Sequence, residues 1–277
     1  MSHRSFRALG VALVVWSAAF TTEQACAETP IEQARHVFET RKYTVVTVQL
    51  VIKRQYSFGG RGSQEREEKQ EASGTVIDPS GLTVMSLTDV DPTLMYAKLA
   101  KTQGMSDYKM ESNVTSVTIL CDDGSEVEAQ VLLRDPDLDL AFIRPSKKPV
   151  QPFEHVDLTD AAHPQMLDEL LFVNRLGKVA RRTYSATLDR VEGIVTKPRT
   201  LYIPGQQNQE SNAVLGSPAF TLDGRFVGIA AVRADLTEST SLDKGLLAVV
   251  MPAEHIAEVA AQVPPLESEG ATDGGSS

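Results

Sequence analysis

The strongest constraint on this chain is a succession of short, β-branched apolar runs separated by turn residues. Tyr43 to Val51 opens it, followed by Gly74 to Ile77, Leu82 to Leu87, Val114 to Leu120, Val127 to Leu133 and Ala141 to Arg144. Runs this short, with turn signals between them, build small antiparallel barrels. After the Pro-containing stretch from Pro145 to Pro152 the pattern resumes near Leu170 to Val173, Tyr184 to Leu188, Val191 to Val195, Leu201 to Ile203, Arg225 to Val232 and Leu246 to Met251. A second barrel is expected there. The 277 residues, 42% of them hydrophobic, are enough to bury the core of one compact unit.

Between the runs lie a few departures from strand patterning. Phe58 to Ala72 is Gly-rich and then densely charged, and reads as a solvated hairpin loop. A short helix is expected from Ile31 to Phe38. A closing helix follows Pro252, with Ile256, Val259, Ala260 and Val263 on one face. Asp91-Pro92 followed by Leu94, Met95, Ala97 and Leu99, ending at Gly104, predicts a capped helix opening an inserted segment that reaches about Asn113. This insertion reads as a surface helix with an apolar underside, a lid or partner contact being the alternative.

The ends of the chain carry information about location. Arg4 and Arg7 precede an apolar run from Ala8 to Phe20 that is short for a bilayer, and Ala25 and Ala27 form an A-x-A pattern. Residues 1–27 are therefore expected to be a signal peptide, releasing a chain that begins at Glu28 in the periplasm or outside the cell. No stable membrane insertion is expected after cleavage; an uncleaved anchor is the alternative. Cys26 lacks the preceding aliphatic residue of a lipidation site, and its removal leaves Cys121 as the one thiol, excluding an intramolecular disulfide. Residues 264–277 are Gly/Ser-rich and acidic, and are expected to be disordered.

Charge and ligand chemistry narrow the partners. A net charge of -10 repels phosphate backbones, so nucleic acid is not expected as a partner. His36, His155, His163 and His255 stand singly without metal-ligand spacing, and neither a metal nor a cofactor is expected.

Three segments carry a family resemblance. Ser73-Gly74-Thr75-Val76-Ile77-Asp78-Pro79-Ser80-Gly81 running on to Thr88 resembles the S-G-x-x-I-x-x-x-G-x-x-x-T-N-x-H segment of trypsin-like proteases of the HtrA type. Arg134 to Ile143 is similar to that family's D-x-x-x-D-L-A-V-L. Ala213-Val214-Leu215-Gly216-Ser217-Pro218-Ala219, with Asp223-Gly224 and Gly228-Ile229 beyond, resembles G-N-S-G-G-P-L followed by D-G-x-V-x-G-I. Val191 to Val195 and Gly245 to Pro252 resemble later strands of the same family. The resemblance runs from about Tyr43 to Val263. It implies an all-β, trypsin-like double antiparallel barrel, the first about 43–144, the second about 168–251, with a closing helix at 252–263 and no PDZ domain.

In this register the histidine slot holds Thr88, the aspartate slot Asp139 and the nucleophile slot Leu215, while Ala213 replaces the glycine that supplies an oxyanion-hole amide. A threonine hydroxyl accepts no proton near neutral pH, and leucine has no attacking atom. Asp139 equally serves as a turn cap or an acceptor of backbone hydrogen bonds. Ser217 lies two positions past the nucleophile slot and before a proline, which makes it a poor substitute; Ser86 and the four histidines are not expected at the cleft. The resemblance then implies a pseudoprotease that binds a peptide or protein partner without cutting it, oligomerisation being possible. The alternatives are a serine endopeptidase with a non-standard site at Ser217, and a structural subunit of an envelope complex.

Overall fold

The computed structural model describes residues 28–58, 61–102, 108–205, 214–234 and 246–266. The expected signal peptide, Gly104, Ala213 and residues 267–277 of the tail lie outside the described residues. The first helix, α1 (Pro30–Arg41), begins at a capping box: Glu32 donates its backbone N–H to the Thr29 hydroxyl at 3.3 Å, and Thr29 N–H donates back to Glu32 Oε2 at 2.9 Å. Pro30 at the first helical position gives up no hydrogen bond, since that amide has no helical partner in any case. The helix buries Ala34 and Val37.

Six strands then close the first barrel: β1 (Val45–Phe58), β2 (Arg61–Val76), β3 (Thr83–Ser86), β4 (Tyr108–Leu120), β5 (Glu126–Asp135) and β6 (Leu140–Pro145), in the spatial order β1-β2-β3-β6-β5-β4. Between β3 and β4 come a single helical turn, α2 (Leu87–Val90), and α3 (Thr93–Thr102). The second barrel holds β7 (Glu169–Arg175), β8 (Tyr184–Val195), β9 (Leu201–Pro204), β10 (Pro218–Thr221), β11 (Phe226–Ala234) and β12 (Leu246–Pro252), in the order β10-β11-β12-β9-β8-β7. All of these pairs are antiparallel. A closing helix, α4 (Ala253–Ala260), follows directly and buries Ala253, Ile256 and Val259.

Four sequence expectations need correction. The charged stretch from Phe58 to Ala72 is not a loop, because Arg61 onward forms β2, in register with β1 from Val45↔Thr75 to Phe58↔Arg61. Cross-strand ion pairs suit the charges to that ladder, Arg54 reaching Glu68 at 2.6 Å and Lys53 reaching Glu65 at 3.7 Å. The insertion ends earlier than Asn113, since Tyr108 already pairs with Phe58 in β4. Tyr184–Leu188 and Val191–Val195 are one strand, with an irregularity at Val191/Gly193 where it meets β9. β10 was not foreseen as a strand.

The largest core cluster crosses the junction between the barrels. Val84, Leu140 and Phe142 from the first barrel share it with Leu171, Phe220, Ile229 and Met251 from the second, and α1 and α4 add Val37 and Ile256. Each such side chain contributes about 1.5–3 kcal/mol on burial. Arg175 fixes the same junction by polar contacts. It is buried at the end of β7, and donates to the carbonyls of Leu120 at 2.7 Å, Cys121 at 3.3 Å and Arg182 at 3.2 Å. The first two belong to the other barrel, so a cation that would be costly alone is satisfied across the seam.

Candidate functional site

The site is built where β3 runs into α2. Pairing of Ser86 with Leu140 sets the end of β3 beside the turn that holds Asp139. Asp139 has φ 58°, a left-handed conformation that aspartate tolerates better than most residues, and it turns the chain into β6. Its backbone carbonyl accepts from Leu87 N–H at 2.9 Å, which starts α2.

The Asp139 carboxylate is the hub. One oxygen accepts from both the backbone N–H and the hydroxyl of Thr88, each at 2.8 Å. The other accepts from the Ser86 hydroxyl at 2.7 Å and from Val232 N–H at 3.2 Å, the last donor coming from β11 of the second barrel. Asp139 is buried, and burial pushes its pKa above the ordinary carboxylate range, opposed by the hydrogen bonds from Ser86, Thr88 and Val232. One residue past Thr88, burial and the neighbouring Asp139 charge push Asp89 up to about 7.

Leu215 lies half-buried in the turn that precedes β10. The turn is held against the first barrel, since Thr75 donates its hydroxyl to Gly216 O at 2.8 Å. Gly216 has φ +79°, and any Cβ there would overlap Ser73 O and crowd Met85 of β3. The turn carrying Leu215 is thus packed against the strand that leads to Thr88 and Asp139. The two amides after Leu215 are engaged, Gly216 N–H donating to Ala230 O at 2.8 Å and Ser217 N–H to Val214 O at 3.1 Å.

The other sequence candidates fall elsewhere. Ser217 has 0% exposure, and its hydroxyl has no hydrogen-bond partner. His155 Nδ1 is 3.1 Å from Phe153 O, His163 pairs with Glu254 at 2.9 Å and His255 faces Glu258 at 3.7 Å, so none of these joins the Asp139 cluster. Ser86 corrects the expectation placed on it: strand pairing brings its hydroxyl onto the aspartate, where its hydrogen points into the carboxylate and its 0% exposure removes it from any substrate. Its position two residues before Thr88 on an inward-facing strand was the available signal. Val232, which contributes a backbone atom, left none. Among the described residues no group of His, Cys, Asp and Glu side chains could hold a metal ion.

A family model for the trypsin-like peptidase domain matches residues 72–229, more than half of the chain. The chain belongs to this trypsin-like peptidase family. Residues 72–229 contain Thr88, Asp139 and Leu215, and the two closed six-stranded barrels are the family's double-barrel fold. Among solved structures, the MamO protease domain from Magnetospirillum magneticum, in its apo form, is similar at 16% identity and a TM-score of 0.49, over 80% of this chain and 97% of that one. None of the curated proteins matches the chain. No helix among the described residues is long and apolar enough to cross a membrane.

Proposed function

We propose that this trypsin-like chain is an exported homologue of the HtrA type that does not hydrolyse peptide bonds and instead holds an extended peptide or protein partner. One observation carries the reading: the aspartate that would orient an imidazole is occupied by the hydroxyl and amide of Thr88 and the hydroxyl of Ser86. No group in that cluster is a neutral base able to take a proton from an attacking hydroxyl. Leu215 in the nucleophile slot supports the same conclusion. A site at Ser217 is disfavoured by its complete burial and by the use of its amide in the turn.

Binding needs none of these groups. β11 pairs with β12 through Ala234 on one side, whereas its ladder to β10 ends at Ile229↔Pro218. Past Ala230 that second edge lies beside Asp139 and the Leu215 turn; Asp139 takes the Val232 N–H, and an extended peptide added there uses the Val232 carbonyl and the backbone beyond it for main-chain hydrogen bonds, without any triad. Export rests on the leader pattern of residues 1–27.

Reduced, unfolded casein is a suitable probe. The chain is expected to bind it without cutting it and to show no labelling by a fluorophosphonate, and Leu215→Arg is expected to weaken the binding. Fluorophosphonate labelling that Ser217→Ala abolishes would overturn the reading, and casein binding indifferent to Leu215→Arg would move the partner away from this cleft.

A further inference from the structure

A second surface feature lies at the linker between the barrels and shares no residue with the Asp139 cluster. It is a groove of about 670 Å³, walled by β1, the turn before β5, the linker from Lys147 to Glu154, the end of β7 and the start of β8. We infer that this face joins two copies of the chain about a two-fold axis, the linker of each copy seated in the groove of the other.

The linker supplies a knob. Its ends are anchored to the first barrel, Ser146 N–H donating to Glu128 O at 2.9 Å and Phe153 N–H to Pro79 O at 3.1 Å. Between the anchors Pro149 and Pro152 restrict the backbone, and Val150 is fully exposed. An apolar side chain held out by a stiff segment has little freedom to lose when a partner covers it. The groove supplies the hole. Val45, Val46 and Val127 line it beside Tyr43 and Tyr184, whose rings meet edge to face with centroids 5.8 Å apart. Leu176 and the fully exposed Val179 extend this apolar surface onto the β7–β8 hairpin, and exposed apolar residues grouped in this way mark a surface that a protein covers.

Charge selects the occupant. The ionisable side chains of the groove balance, Asp122, Asp123 and Glu154 against Lys147, Lys148 and Arg175. Cations already lie over the two tyrosines, Lys42 Nζ at 5.2 Å from the Tyr43 centroid and the Arg175 guanidinium at 5.3 Å from that of Tyr184. No net charge is left for a charged ligand to neutralise. The signs are nevertheless separated, with both aspartates on the β4–β5 turn and both lysines on the linker. Asp123 stays anionic, because hydrogen bonds from the Ser125 hydroxyl at 2.7 Å and amide at 2.9 Å hold its pKa below the ordinary carboxylate value. Among the described residues Lys147 and Lys148 form no ion pair. A two-fold axis sets the linker of each copy against the turn of the other, so the pairing of lysines with aspartates is made twice. That self-complementarity is what an isologous interface requires.

Sedimentation velocity of the full chain reads the association. A concentration-dependent dimer is expected, with a dissociation constant of about 10 µM or tighter, weakened by salt. Lys147→Glu with Lys148→Glu, and separately Asp122→Lys with Asp123→Lys, should each raise that constant about tenfold or more by facing like charges at both contacts. An equimolar mixture of the two variants should recover the dimer, since every contact between unlike variants again pairs opposite charges. A chain that stays monomeric, a trimer, variants that associate as the parent does, or a mixture of folded variants that remains monomeric overturns the two-fold docking. If the lysine variant fails to fold, Val150→Arg carries the test at a side chain without packing. Its thermal unfolding midpoint should match the parent's while association is lost, and unchanged association overturns the docking.

Discussion

Thr88 donates twice to a single carboxylate oxygen of Asp139, once from its backbone and once from its side chain, both at 2.8 Å. The backbone half of that pair is independent of the residue at position 88. Only the hydroxyl half is particular to threonine, and it points the side chain's hydrogen at the acid that would otherwise orient a ring.

That geometry makes the slot reversible on paper. Thr88→His with Leu215→Ser and Ala213→Gly is expected to restore measurable casein hydrolysis, because a ring at position 88 starts from a backbone already fixed to Asp139. Hydrolysis is read by release of fluorescent casein fragments, with the Leu215→Ser change omitted as the control. No release from the triple variant would show that more of the cleft than these three positions has been lost.

Asp139→Ala removes the acceptor for four hydrogen bonds and leaves two hydroxyls and two amides without it. The expected loss is about 2–4 kcal/mol of unfolding free energy in urea. Asp139→Asn, which keeps one acceptor oxygen, should fall between. A loss below about 0.5 kcal/mol for the alanine variant would deny Asp139 its structural role.

Asp89 gives a pH dependence of defined sign. In the unfolded chain its carboxyl titrates near 4, and in the folded protein near 7. Between those values the folded state binds more proton, so stability falls as pH rises, and the loss is complete above pH 7. Asp89→Asn should flatten this part of the stability profile and leave the variant about 1–3 kcal/mol more stable than the parent at pH 8, with little difference at pH 4. Parallel profiles for the two proteins would contradict it.

Arg175→Ala should cost about 2–4 kcal/mol, because three carbonyls at the barrel junction lose their donor and that of Leu120 is buried there. Arg175→Lys should rescue less than half of that loss, since an ammonium cannot copy the fork that spans Leu120, Cys121 and Arg182. Equal stability of the lysine variant and the parent would mean that charge alone, not geometry, matters there.

The barrels were legible because their strands bury apolar residues; these alternate with exposed polar ones from Val127 to Val131, and an apolar run extends unbroken from Leu246 to Met251. β2 was not legible. Over most of its length β3 does not reach it, Gln64 to Glu67 and Lys69 are exposed, and this stretch is free to be charged while the backbone ladder to β1 decides the structure. The slots Thr88, Asp139 and Leu215 were found by spacing against a family pattern. Ser86 was misjudged because strand register, which brings it beside Asp139 through its pairing with Leu140, is a property of two distant segments. The donor from Val232 is a main-chain atom and has no sequence signature at all.

The ribbon of β2, β1 and β4 runs past the point where β3 stops, so the outer margin of β2 has no strand beside it among the described residues before Thr75. A bare margin of that length is an invitation to fibrous stacking with other copies. Glu65, Arg66, Glu67, Glu68 and Lys69 stand along it, and a neighbouring ribbon laid alongside would have to bring like charges face to face and strip their water. The charges that disguised this strand in the sequence are also what keeps it from recruiting copies of itself.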